Sequence, residues 1–214
     1  MCIRDRFIIG GPTGNSSNPP WSLYYNEIDL TLNAGNGDIS VKNAPLTASS
    51  GNCSEKMTVT KHCNGVDYWL LVHDYTGNTY RAYLITAAGI STTPVVSNVG
   101  TTFVSTTTSY DAVGQMKFSP NGNKVAVNYA SQSQVEICDF NKSTGVVSNP
   151  LVLGAAGNYS YGVEFSPDNS KVYSSNGDSP YVLHQWDLCA GSPTAIAAGS
   201  AVASATTSPT RQAA

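Results

Sequence analysis

Charge is what this chain has least of. Of its 214 residues only 12% are Asp, Glu, Lys or Arg, against about 25% in an average soluble domain. The formal net charge is -3, and no Lys/Arg cluster or Gly-rich lysine loop occurs. That excludes the basic footprint needed to neutralise phosphate backbones, so nucleic acid is not an expected partner. No apolar run approaches the roughly 20 residues of a membrane-crossing helix, so no membrane span is expected. The stretch "FIIGG" is too short even for the apolar core of a signal peptide. The five cysteines include no Cys-x-x-Cys spacing, which removes the common zinc and redox motifs but does not settle the compartment. Cys53 and Cys63 flank a predicted strand, which leaves their pairing open; unpaired thiols are the preferred reading.

What the chain has instead is Thr, Ser, Asn, Gly, Val and Tyr, the residues of strands and turns. It also repeats itself. "MKFSPNGNKVAV" and "VEFSPDNSKVYS" place Phe118 and Phe165 47 residues apart. Both alternate apolar and polar residues, reach a Ser-Pro-Asn/Asp turn and resume the alternation, which describes a β-hairpin between half-buried strands. A third copy emerges when Asn64-Gly65 is aligned with Asn121-Gly122, so that "TVTKHCNGVDYWLLV" becomes the same strand, turn and strand. The residues that carry these turns are Asn64, Gly65, Ser119, Pro120, Asn121, Gly122, Ser166, Pro167 and Asp168. Each copy continues into a third strand ("TYRAYLIT", "QVEICDF", "YVLHQWDL") and a fourth segment ("TPVVSNVG", "GVVSNPLVLG", "SPTAIAAG").

Four antiparallel strands recurring at this period predict an all-β fold, a partial β-propeller of about three and a half four-stranded blades. A sandwich would have no reason to repeat one hairpin at blade spacing. The blades are expected at residues 22–46 (half), 55–100, 111–154 and 159–199, after a loop at 7–21 and before a low-complexity, truncated tail at 200–214. "MCIRDR", residues 1–6, back-translates to a sequence like that of transposon ends used in library preparation, and is expected to be an adapter artefact. The chain is therefore expected to be a fragment, with remaining blades in the same protein.

The motifs "YNEIDLTLNAGNGDISVKNAPL", "SEKMTVTKHCNGVDYWLLVHDYTGNTYRAYLITAAGISTTPVVSNVG", "GQMKFSPNGNKVAV" and "YGVEFSPDNSKVY" together resemble the N-terminal propeller of large secreted, gliding-motility-associated surface proteins of Bacteroidota. Such proteins often end in adhesion modules and a type IX secretion sorting domain. The repeat is also similar to YVTN and lactonase-like propellers. The resemblance implies an extracellular or cell-surface location and a non-catalytic interaction or display role, with a protein or glycan partner that it does not identify. The alternative it leaves is a fragment of a lactonase-like enzyme whose metal site lies in other blades.

Candidate chemistry is thin. His62, Asp67, His73 and Asp74 combine imidazoles with carboxylates, as zinc or a proton relay would require. The repeat alignment puts His62 at the hairpin turn and His73 near the far end of the next strand, so no shared site is expected. "GGPTGNSS" lacks the lysine and following helix of a phosphate loop. Asp139, Asn141 and Ser143 before Gly145 offer oxygen ligands for calcium, but such segments more often close a hairpin through their own backbone. The four Asn-x-Ser matches, at Asn15, Asn52, Asn141 and Asn158, are too common in such a chain to count. Trp21, Tyr68, Trp69, Tyr80, Tyr83, Tyr161, Tyr173 and Trp186 are expected mainly between blades, with stacking on a sugar or protein partner open to any at a ring face. No catalytic residue, metal ligand or cofactor is expected.

Overall fold

A computed structural model describes residues 3–10, 21–49, 51–103, 111–154, 159–177 and 179–205. Three of its hairpins share one hydrogen-bond pattern. Ser119 N–H donates to the Lys124 carbonyl (2.9 Å), Ser166 N–H to that of Lys171 (2.9 Å) and His62 N–H to that of Asp67 (2.8 Å). The turn then closes by a donation to the Ser119, Ser166 or His62 carbonyl from Gly122, Asn169 or Gly65, all with positive φ. Asn and Gly tolerate that conformation, which fixes where each hairpin reverses.

From these hairpins come four sheets, antiparallel throughout the described residues. The first contains β1 (Ile3–Gly10), β2 (Ser22–Asp29) and β3 (Asp38–Pro45), in that order. In the second, β4 (Cys53–Lys61), β5 (Tyr68–Asp74) and β6 (Gly77–Thr86) are followed by β8 (Val95–Phe103) paired with β6, and the short β7 (Gly89–Ile90) also adds to β6. The third runs β9 (Met116–Phe118), β10 (Lys124–Tyr129), β11 (Gln134–Asn141), β12 (Val146–Leu153). The fourth runs β13 (Ser160–Phe165), β14 (Lys171–Asn176), β15 (Tyr181–Asp187), β16 (Ser200–Ala205).

Alternation along each strand sends neighbouring side chains into different layers. Val125 and Val127 of β10 join Leu71, Phe103 and Phe118 between the second and third sheets. Ala126, between them in sequence, joins Val163, Phe165 and Trp186 between the third and fourth. Likewise Trp69 and Leu71 face the third sheet, while Leu70 and Val72 pack with Leu23 of the first and with Leu46, just past β3. Strands buried on both faces explain the near-continuous apolar runs of β5 and β10.

Two expected boundaries shift. "SPTAIAAG" is not the fourth strand of its blade: Pro193–Ala198 forms the helix α1, with the Ser192 hydroxyl accepting from Ala195 N–H (3.2 Å) and Pro at its start. Ser-Pro at a helix entrance followed by alanines is a start signal that outweighs the repeat pattern. The strand is instead β16, within the stretch expected as tail; it pairs with β15 despite its small side chains. Residues 7–10, expected as loop, belong to β1, which runs from residue 3 and pairs with β2.

Candidate functional site

The structure separates the residues that looked most like a metal site. His62 is half-buried at its turn, its ring 5.7 Å from that of Trp69, and Asn64 Nδ2 donates to the Asp67 carboxylate (2.7 Å). His73, at the other end of β5, is fully buried and stacked on Phe103 with ring centroids 3.8 Å apart. Its Nδ1 donates to the Asp74 carbonyl (2.7 Å), and burial pushes its pKa down to about 3. The Asp74 carboxylate takes two hydrogen bonds from Arg81 (2.8 Å each) and one from Asn52 Nδ2 (3.0 Å). Among the described residues no three His, Cys, Asp or Glu side chains converge on a point that could hold a metal ion.

The other candidates are consumed locally. Asn141 Oδ1 accepts from Ser143 N–H (2.9 Å) and Thr144 N–H (3.3 Å), while Asp139 holds Lys124 Nζ (2.7 Å) and Asn149 Nδ2 (2.9 Å). Asp168 accepts from Ser166 and Ser170, which hold its carboxyl down at about 2. Asn121 N–H donates to Asn169 Oδ1 (2.9 Å), tying two successive hairpin turns together. Pro120 and Pro167 sit exposed in those turns. Cys53 is buried and Cys63 exposed at opposite ends of β4, and both are unpaired. Residues 11–17 of the Gly-rich stretch, with Asn15 and Asn158, lie outside the described residues.

A different group of side chains comes together at the rim where β4, β9 and β13 begin. Glu55 N–H donates to the Ala112 carbonyl (3.1 Å), and the Glu55 carboxylate accepts from Gly114 N–H. Lys56 is fully buried beneath it; its Nζ donates to the Val113 carbonyl (2.5 Å) and lies 5.4 Å from the centre of the Phe103 ring. Burial pulls its pKa down to about 7, against the opposing pull of Glu55 and Asp111. Gln115 N–H then donates to the Tyr161 carbonyl (2.9 Å), and Gln115 Oε1 accepts from Val163 N–H (3.2 Å). Beneath these, Ser160 Oγ donates to Asn128 Oδ1 (2.8 Å) and bonds to Ser174 Oγ (2.8 Å). The result is one hydrogen-bonded belt across three sheets.

On this belt stand two tyrosines, Tyr159 at 45% and Tyr161 at 49% exposure, separated by buried Ser160. Gln115, Gln132 and Ser175 are exposed on the same stretch. Most of the other aromatics are buried between sheets: Trp69, Tyr80, Tyr83 and Trp186 are all 4% exposed or less. Sequence reasoning grouped Tyr161 with them and missed Tyr159, Gln115 and Lys56. No local motif marks these residues, because they are brought together only by the side-by-side placement of β4, β9 and β13, the first strands of successive repeats.

The fold and this rim define a partial β-propeller. Among solved structures the chain is similar to a 6-phosphogluconolactonase-like protein from Bacteroides uniformis, at 12% identity over 87% of this chain and 52% of that one, with a TM-score of 0.54. A protein from Lactobacillus plantarum matches with 13% identity over 87% and 53%, TM-score 0.54. A second 6-phosphogluconolactonase-like protein, from Bacteroides fragilis, matches with 14% identity over 85% and 47%, TM-score 0.50. The chain thus spans about half the length of the structures it matches, and likeness at this identity shows the fold alone. No family model and no curated protein matches the sequence.

Proposed function

We propose that this chain is a non-catalytic propeller module of a larger bacterial protein, carried at the cell surface or secreted, where its rim serves as an interaction platform in adhesion or gliding motility. One observation carries the reading. Among the described residues, Asp111, Glu55 and Lys56 at the rim are all engaged by neighbouring groups, while the exposed Tyr159, Tyr161, Gln115 and Gln132 are uncharged. Asp111 accepts from Ser131 N–H (3.0 Å) and Gln132 Nε2 (2.8 Å), Glu55 accepts from Gly114, and Lys56 is buried. Hydrolytic chemistry needs an acid, base or metal with a free valence facing substrate; docking needs a rigid surface with neutral polar and aromatic groups. The secreted-lineage motifs of the sequence support the location. No described helix is long and apolar enough to cross a membrane.

Proteinase K treatment of intact source cells, probed with antibody against this chain, tests the location: degradation without lysis is expected, and full protection overturns it. The full-length protein, incubated with 6-phosphogluconolactone with and without a chelator, tests the role. No chelator-sensitive lactone hydrolysis is expected. Its appearance would make the protein a lactonase-like enzyme with a metal site elsewhere in the ring.

A further inference from the structure

We infer that Asn36, in the turn between β2 and β3, is a site of self-modification, where the Gly37 backbone nitrogen attacks the Asn36 side-chain amide and converts it to a carboxylate. This chemistry needs no partner and does not depend on the platform role proposed above.

An Asn followed by Gly leaves the attacking nitrogen least hindered, because no Cβ shields it. The Gly37 nitrogen gives its proton to solvent and bonds to Asn36 Cγ, the Cγ–Nδ2 bond breaks, and Nδ2 leaves as ammonia. Water then opens the cyclic imide at either carbonyl, giving aspartate or an isoaspartyl link in which the main chain runs through Cγ. Neither step oxidises or reduces anything. The sequence holds four Asn-Gly pairs, at Asn36, Asn64, Asn121 and Asn176, so a choice among them has to come from the structure.

Three of the four amides are tied down. Asn64 Nδ2 donates to the Asp67 carboxylate (2.7 Å), and its Oδ1 accepts from Val66 N–H and Asp67 N–H (3.0 Å each). Asn121 Oδ1 accepts from Ser119 Oγ (2.8 Å) and Asn123 N–H (3.0 Å). Asn176 is buried, with Nδ2 donating to the Pro180 carbonyl (2.8 Å) and Oδ1 accepting from Val182 N–H (2.6 Å). Asn36 is exposed, and its amide makes no hydrogen bond to any described residue.

Attack also requires the turn to open, since each glycine N–H is held by a carbonyl: Gly37 by Leu32 (3.0 Å), Gly65 by His62 (3.0 Å), Gly122 by Ser119 (2.7 Å) and Gly177 by Tyr159 (2.8 Å). Opening is easiest at Gly37. Residues 31–36 are all exposed, and Asn33 and Ala34 stand at φ +53 and +55, a conformation that strains an alanine. Backbone with few packed neighbours opens locally at little cost. At Gly122, by contrast, a Cβ would collide with Thr60 of the second sheet, so a neighbouring blade lies against that turn. The liability is built into the β2–β3 turn, because Gly37 has φ +84 and a Cβ there would press on the Leu30 side chain (3.0 Å). Asp29 faces Asp38 in register at the end of this hairpin, so the new carboxylate adds a third negative charge there.

The test is incubation of the chain at mildly alkaline pH over days, with isoelectric focusing and peptide mass mapping of the Asn-Gly sites, in buffer and in urea. In buffer Asn36 should convert first, at least about tenfold faster than Asn64, Asn121 or Asn176. In urea the four rates should converge to within about threefold, since the dipeptide is the same. Asn36→Gln should remove the first acidic species, because the longer side chain cannot close the same five-membered ring; circular dichroism checks that it is folded. No conversion in buffer, another site converting as fast as Asn36, an unchanged ranking in urea, or an acidic species that survives in Asn36→Gln overturns the assignment.

Discussion

Glu136 of β11 occupies the space that a side chain at Gly100 of β8 would need: a Cβ there would collide with the Glu136 carboxylate. The carboxylate is buried, and its Oε2 accepts from both the backbone N–H and the hydroxyl of Thr101 (2.9 Å each), while Oε1 accepts from Tyr129 OH (2.9 Å). A glycine in one sheet thus admits the carboxylate of the next, and the pair fastens two blades.

Gly100→Ala should therefore be among the more damaging single changes. Gly100 has φ +82, so alanine is strained as well as obstructed. A loss of about 2 kcal/mol or more in urea unfolding is expected. A loss no greater than that at exposed Gly51, also at positive φ (+65) but with nothing within 4 Å, would show that the carboxylate moves aside freely.

Removing the partner of Asp74 should cost about 3 kcal/mol, since an unpaired buried charge is left behind. The Asp74 side chain is 3% exposed and is held by Arg81, itself 20% exposed. Arg81→Met tests this by urea unfolding at neutral pH. Asp74→Asn should cost less, because the amide can keep a hydrogen bond without a charge to desolvate.

Stability should fall on acidification through His73. The folded state resists protonation until about pH 3 because the ring is buried, whereas a free imidazole takes up its proton near 6.5. Between those pH values the unfolded chain binds the extra proton. The contribution is therefore complete above pH 6.5 and is lost as pH falls toward 3, at up to about 1.4 kcal/mol per pH unit. Buried Lys56 opposes protonation of the same ring. His73→Phe, which preserves stacking on Phe103, should show a shallower decline between pH 6.5 and 4 than the parent; equal slopes would assign the decline to carboxylates.

Thiol reactivity should divide the four cysteines among the described residues into two classes. Cys63 and Cys189 are exposed, whereas Cys53 and Cys138 are buried, and burial pushes the thiol of Cys53 up to about 12 and that of Cys138 higher. A thiol-specific reagent should modify Cys63 and Cys189 in the native protein and reach Cys53 and Cys138 only in denaturant. Native modification of Cys138 would mean that the second and third sheets part readily.

The sequence by itself determined the repeat, the hairpins at Ser119 and Ser166, and even the disguised hairpin at His62, because turn chemistry and period-2 alternation are local. It also separated His62 from His73, since their distance along one strand follows from the register alone. It did not determine that α1 replaces a strand or that "SAVASA" forms one; a Ser-Pro cap competes with the repeat pattern, and small side chains carry little alternation. Only the tertiary structure decided which polar residues meet. Lys56, then Asp111, Gln115 and Asn128, then Tyr161 come from three successive repeats, and they form one rim because β4, β9 and β13 lie side by side, a relation between sheets that no spacing along the chain encodes.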